Sequence, residues 1–251
     1  MIGLSSGLTN TYQTISTTST ANPIAANSPV LWLKANTGIV VNEGTNSVNA
    51  WTDQSGNGNN ARQATSGREP QYVSGALEFN VSSDQDHRLD LTSDIDLNMF
   101  TLVAVLDIAS VESMGLLGST SAEALRIHQG ADPDRVSLLL DPTGTGTEDA
   151  DQLNLTQDIP TDKFVFTFKR GSGTTDNIIV RFNGTDVTDT NGARNDSDPA
   201  NAFTVADIGT AAGNFLNYRG SIAELVIFDA PLTDAKMGQV EDDMKLRCGL
   251  L

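Results

Sequence analysis

The chain of 251 residues has a single cysteine, Cys248. No internal disulfide can form, which excludes the stapled scaffolds of small secreted domains. Cys248 itself reads as a buried or helix-end thiol. Histidine is nearly as scarce: there are two, His87 and His128, well separated, and no Gly-x-Ser-x-Gly elbow accompanies them. A serine or cysteine nucleophile system and the usual zinc ligand spacings are therefore both missing. His128 alternates with Arg126 in a strand-like run and reads as a surface or satisfied interior residue. Positive charge is also in short supply, with 15 basic against 32 acidic residues and a net charge of −17. That field repels phosphate backbones and anionic headgroups, so neither nucleic acid nor a membrane surface is an expected partner. No apolar run is long enough to span a bilayer, and the first residues lack the basic and apolar regions of a signal peptide, so Sec-type export is not expected. Aromatic residues make up only 6% of the chain, which leaves little material for an exposed sugar-stacking platform.

What the chain does have is Ser, Thr, Asn, Asp and Gly, set between short apolar runs. Runs at Val30 to Lys34, Val48 to Thr52, Ala76 to Val81, Phe100 to Asp107, Leu116 to Ser119, Ala124 to His128, Val136 to Leu140, Lys163 to Arg170, Asn177 to Asn183 and Ser221 to Phe228 predict at least ten strands. The clearest alternation is "KFVFTFKR", where Phe164, Phe166 and Phe168 share one face and Val165, Thr167 and Lys169 the other. Its expected partner is "NIIVRFNG", with Ile178, Val180 and Phe182 facing the same core. Acidic, turn-rich gaps at 82–87, 141–151 and 191–201 read as surface loops. Nothing in residues 29–251 marks a linker between two cores. The predicted fold is all-β, an antiparallel jelly-roll sandwich of two sheets with a short C-terminal helix and an extended N-terminal arm.

The helix is expected from Thr233 or Asp234 to about Arg247. Thr233 supplies an N-cap, Asp234 suits the positive helix start, Lys245 and Arg247 suit its end, and Gly249 terminates it. Met237, Val240, Met244 and Cys248 form one apolar stripe that should pack on the sandwich. Residues 1–28 differ from the rest: they are rich in Thr and Ser, low in charge, and only sparsely apolar at positions that include Leu8, Tyr12, Ile15 and Ile24. Such a segment buries too little surface to fold alone. It reads as an arm that docks these four residues on a partner by strand addition or groove filling.

The stretch "WTDQSGNGNNA" permits two readings. Asp53, Ser55 and Asn57 occupy positions one, three and five of an EF-hand-like loop with Gly58 at six, which is the opening half of a calcium cage; position twelve is Ala64, and no helix flanks the loop. Alternatively Asp53 and the asparagines close a tight corner by accepting from nearby backbone N–H groups, while Gly56 and Gly58 take positive φ. No cofactor other than calcium is suggested. The tripeptides at Asn80, Asn154, Asn183 and Asn195 match glycosylation sequons, a chance-prone match in a chain of this composition.

The order "PVLWLKANTGIV", "VNAWTDQSGNGNNARQ", "ALEFN", "FTLVAVL", "LLGS" and "RGSIAELVIFDAPLTDAKMGQVEDDMKLRCG" resembles the bacterial and phage laminin G-like jelly-roll domains of the concanavalin A-like lectin/glucanase superfamily, over about residues 29–251. The resemblance implies two curved sheets face to face, in a superfamily that holds lectins, glycoside hydrolases and adhesive or structural modules. Hydrolases of this kind carry closely spaced strand carboxylates such as Glu-x-Asp-x-x-Glu; here Glu78 and Glu224 each stand alone, so no enzyme is expected. Relatives often place a calcium-binding aspartate before the glutamate of the last strand, where this chain has Ala223. For glycans, Trp32 and Trp51 lie in core patterns, and Tyr72 and Tyr218 are the expected exposed candidates. The combined expectation is a non-enzymatic virion structural protein of a bacteriophage, assembled in the bacterial cytoplasm as part of a larger or homo-oligomeric assembly. In it the arm contacts other virion proteins and the jelly roll decorates a capsid, head or tail surface. The alternative is a carbohydrate-binding or adhesin module at the bacterial surface or outside the cell, meeting host or environmental glycans.

Overall fold

The structure, a computed structural model, describes residues 21–80, 86–109, 112, 114–129, 132–140, 150–172, 178–189, 201–210 and 217–251. In chain order its elements are α1 (Pro23–Ala26), β1 (Leu31–Lys34), β2 (Ile39–Val41), β3 (Val48–Trp51), β4 (Ala61–Arg62), β5 (Gln71–Val73), β6 (Ala76–Phe79), β7 (Leu89–Leu97), β8 (Phe100–Ile108), β9 (Met114–Thr120), β10 (Glu123–Gln129), β11 (Asp132–Leu140), β12 (Ala150–Asn154), β13 (Phe164–Arg170), β14 (Ile178–Phe182), β15 (Thr185–Asp186), β16 (Phe203–Ile208), β17 (Gly220–Phe228) and α2 (Asp234–Cys248). They form two antiparallel sheets. Sheet A runs β15-β14-β13-β8-β17-β6-β5 with β1 also on β17, and sheet B runs β12-β11-β10-β9-β16-β7-β4-β3-β2.

Alternation builds the layer between them. Phe164, Phe166 and Phe168 of β13 point into the core with Ile178, Val180 and Phe182 of β14, and the two strands pair with Phe166 opposite Phe182. Sheet B meets them with Leu89, Leu91, Ile95 and Leu97 from β7, Leu125 and Ile127 from β10, and Phe203 and Val205 from β16. Stacked rings join the layers at Phe100, Phe168 and Phe203, with centroids 5.7 Å apart in each pair. Buried aliphatic and aromatic side chains of this kind each stabilise by about 1.5–3 kcal/mol. Both tryptophans are buried as expected, Trp51 completely.

The outer face of sheet A is covered. Met237, Val240 and Met244 of α2 pack on Val103, Val105, Val165, Val226 and Phe228, and Ile24 from α1 joins the same cluster. The helix is capped as its residues predict: Thr233 accepts from the Lys236 N–H, and Gly249 closes it at φ 72°. Two carboxylates lie between it and the sheet, Glu241 on the helix itself and Glu224 on β17. Glu241 accepts from the Thr167 hydroxyl at 2.7 Å, and Glu224 accepts from Trp32 Nε1 and from Arg247, each at 2.7 Å. Glu224 therefore ties β1 and α2 to β17 and serves the fold. Just before it, Ala223 occupies a bulge in the pairing of β17 with β8, where the other edge of β17 changes partner from β6 to β1.

One reading of the arm needs correction. Ile24 is completely buried against the chain's own helix, because Asn22 caps a helical turn at Pro23–Ala26 that lies on α2. It is not available to a partner. Leu8, Tyr12 and Ile15 fall outside the described residues, and so does most of the extended arm.

Candidate functional site

The loop after Trp51 is organised around one carboxylate. Asp53 Oδ1 accepts from the Trp32 and Ser55 backbone N–H groups, both at 2.9 Å, and Oδ2 accepts from the Ser55 hydroxyl at 2.7 Å and the Asn59 N–H at 3.0 Å. Asn57 and Asn59 donate their side-chain amides to the carbonyls of Pro29 and Val30, both at 3.0 Å. Asp53, Ser55 and Asn57 do come together, but both carboxylate oxygens face N–H and O–H donors whose positive ends point at them. This is the geometry of a corner that fastens the loop to the start of β1. Among the described residues, no group of three or more His, Cys, Asp or Glu side chains is placed to hold a metal ion.

The two tyrosines divide. Tyr72 is half-buried on the edge strand β5 and packs against the core. Tyr218 is completely buried, its hydroxyl donating to the Asp107 carbonyl at 2.9 Å and its ring edge-on to Phe79. Burial pushes its phenol well above the ordinary range. Tyr218 is therefore a core residue and offers no platform to a sugar, contrary to its sequence reading. Beside it, Asn80 is also buried and bonds to His87 and to the Tyr218 carbonyl, so this sequon is structural. His87 accepts from the Asn80 N–H through Nδ1 at 3.2 Å, and burial lowers its pKa.

The polar feature that sequence reasoning missed lies on the outer face of sheet B. Ala50, Arg62, Asp90, Asp207 and Gly118 stand opposite one another in register on β3, β4, β7, β16 and β9. Because Leu89 and Leu91 face the core, Asp90 between them faces out. An irregularity in the pairing, in which residues 91–94 of β7 stand against Ala206 alone, sets Asp207 directly across from Asp90. The two carboxyl groups are hydrogen-bonded to each other, and Asp207 is pushed up to about 7 by its burial first, then by the Asp90 charge and that hydrogen bond. Arg88 partly opposes the shift, and it anchors Asp90 at 3.2 Å within a chain of ion pairs that runs through Asp86 to Arg68. A signal was present in "LDLTSDIDL", an apolar and acidic alternation; its outward acids make it resemble a loop.

No protein-family model matches the chain, and no curated protein matches its sequence. Among solved structures it is similar to the Trypanosoma rangeli sialidase in complex with sialic acid, with a TM-score of 0.55 and 14% identity over 87% of this chain and 33% of that one. It is also similar to the botulinum neurotoxin serotype D binding domain, with a TM-score of 0.52 and 14% identity over 90% of this chain and 53% of the other. The same toxin domain has been solved in complex with N-acetylneuraminic acid. The chain thus spans a third to about half of these proteins. At such identity the likeness establishes a two-sheet antiparallel jelly-roll sandwich and nothing finer.

Proposed function

We propose that the chain is a non-catalytic carbohydrate-recognition module whose ligand surface is the outer face of sheet B. One observation carries this reading: α2 and α1 cover the central strands on the outer face of sheet A, while the opposite face keeps Arg62, Asp90 and Asp207 in one row on paired strands. Rigid strands present polar groups with less positional freedom than loops do, which suits hydroxyl recognition. The pair does not suit glycoside cleavage. A retaining mechanism needs carboxyl groups about 5–5.5 Å apart with the sugar between them, and an inverting one needs a wider gap. Asp90 and Asp207 are instead bonded to each other. The solved neighbours, one of them held with N-acetylneuraminic acid, make sugars the ligand class to test first.

The intact chain on a glycan array should show saturable binding. The double change Asp90→Ala with Asp207→Ala should weaken it, and Leu246→Glu, on the exposed side of α2, should leave it unchanged. No binding above background would defeat the proposal. The finer virion-surface reading depends on residues 1–20 as an anchor, and its test is whether deleting them abolishes incorporation into particles.

A further inference from the structure

A cavity of about 370 Å³ opens at the β3–β4 end of the same face, lined by Asn49, Ala50, Arg62, Gln63, Ala64 and Glu69. Its size lies within the usual range of small-molecule sites, about 300–1,000 Å³. The backbone shapes it deliberately. Val40 pairs with Ala50 and Val41 with Val48, so Asn49 is the extra residue of a β-bulge, a device that re-aims side chains and is common beside functional sites. The neighbouring walls are fixed by a relay: Asn49 Nδ2 donates to Asn42 Oδ1 at 2.7 Å, and Asn42 Nδ2 donates to Glu69 Oε1 at 2.9 Å. Gln63 is held at both ends, accepting from the Thr65 N–H and donating to the Arg88 carbonyl.

Three groups on these walls are left without partners among the described residues. They are the Arg62 guanidinium, Glu69 Oε2 and Asn49 Oδ1. Arg62 is exposed at the cavity, and Asp90, which stands beside it in register, is not paired with it. Asp90 is taken instead by Arg88 and by the hydrogen bond to Asp207. Glu69 is 9% exposed, its Oε1 held by Asn42, and Oε2 can accept from a ligand in the cavity. Ala50, half-buried, and Ala64, exposed, add small apolar side chains to the lining.

We infer that this cavity is the sugar subsite, and that it takes a neutral pyranose. The inference rests on the carbohydrate reading above. Adjacent hydroxyls would donate to Glu69 Oε2 and Asn49 Oδ1, and Arg62 would donate to a hydroxyl or ring oxygen. A free carboxylate in the wall and a net charge of −17 both act against an acidic sugar.

The test is titration of the intact protein with neutral disaccharides of glucose, galactose and mannose configuration and, separately, with a uronic acid and N-acetylneuraminic acid. A neutral sugar should bind, and Arg62→Ala and Glu69→Gln should each weaken it by about tenfold or more, the loss expected for a hydrogen bond to a charged group. Glu69→Gln keeps the acceptor for Asn42, so the melting temperature should hold. In the unaltered protein, amide shifts on sugar addition should centre on residues 49, 50, 62–64 and 69, a readout that does not depend on any variant folding. Binding confined to acidic sugars would overturn the ligand class. Binding that ignores both changes but is lost with Asp90 and Asp207 would overturn the cavity and leave the face reading intact, whereas no binding to any glycan would remove both.

Discussion

Asp207 shows how a single side chain can carry a measurable pH signature. Its folded value, raised to about 7, lies well above the ordinary carboxylate range, so the folded protein holds a proton there that the unfolded chain releases. The stabilising contribution is fully present below about pH 4 and is lost as the pH rises through about 7. Asp207→Asn supplies a permanent neutral donor to Asp90. Its melting temperature should exceed that of the unaltered protein at pH 8 and match it within about 1 °C at pH 4.5, with each kcal/mol corresponding to roughly 2–4 °C in a chain of this size. An unchanged difference across that range would refute a shared proton. The loop carboxylate Asp53 gives the opposite kind of prediction. With four donors on its two oxygens it is a structural acceptor, so Asp53→Ala should cost several kcal/mol by stranding buried N–H groups, and millimolar calcium should not move the melting temperature. A calcium-dependent rise would restore the cation reading. The sequence carried the Asp53 corner plainly, since Asp, Asn and Gly have few uses other than turns at that density. Tyr218 could not be read: its neighbours "NFLNYRG" are polar, and burial comes from Gly209, Phe79 and the end of β8 closing over it, contacts between distant parts of the chain.

At the level of elements, the strands that sequence reasoning found carry dense apolar runs, such as β8 and β13, whose second face lies under α2, or a clear apolar alternation, such as β14. The strands it missed are β7 and β16, each with a buried and a polar face, the edge strands β2, β5, β15 and β12, the last starting in a gap read as a surface loop, and the two-residue β4. A two-residue strand such as Ala61–Arg62 has no period to detect, and only its pairing with β3 and β7 defines it. The helix was legible from its caps and its Met and Val stripe. Thr233→Ala should therefore destabilise the protein by about 1 kcal/mol through loss of the bond to the Lys236 N–H, checked by denaturant midpoint. Val240→Ala, which opens a cavity between α2 and sheet A, should cost more, roughly 2 kcal/mol or above. Equal costs would mean that the stripe does not hold the helix down.

Across the whole molecule the two faces of the sandwich have been treated differently. The central strands of sheet A are covered by α2 and α1, with Glu224 and Glu241 bonded between helix and sheet, while sheet B keeps a row of polar groups and a walled cavity at one end. The acidic composition already argued against nucleic acid and anionic surfaces, but it could not say which face is open, because that depends on where the last helix returns. Backbone amide shift mapping during titration with an array-positive glycan tests this account most directly. Shifts at Arg62, Asp90, Asp207 and Gly118, with α2 and the outer face of sheet A silent, are the predicted result; shifts centred on Lys236 to Arg247 or on β13 would contradict it.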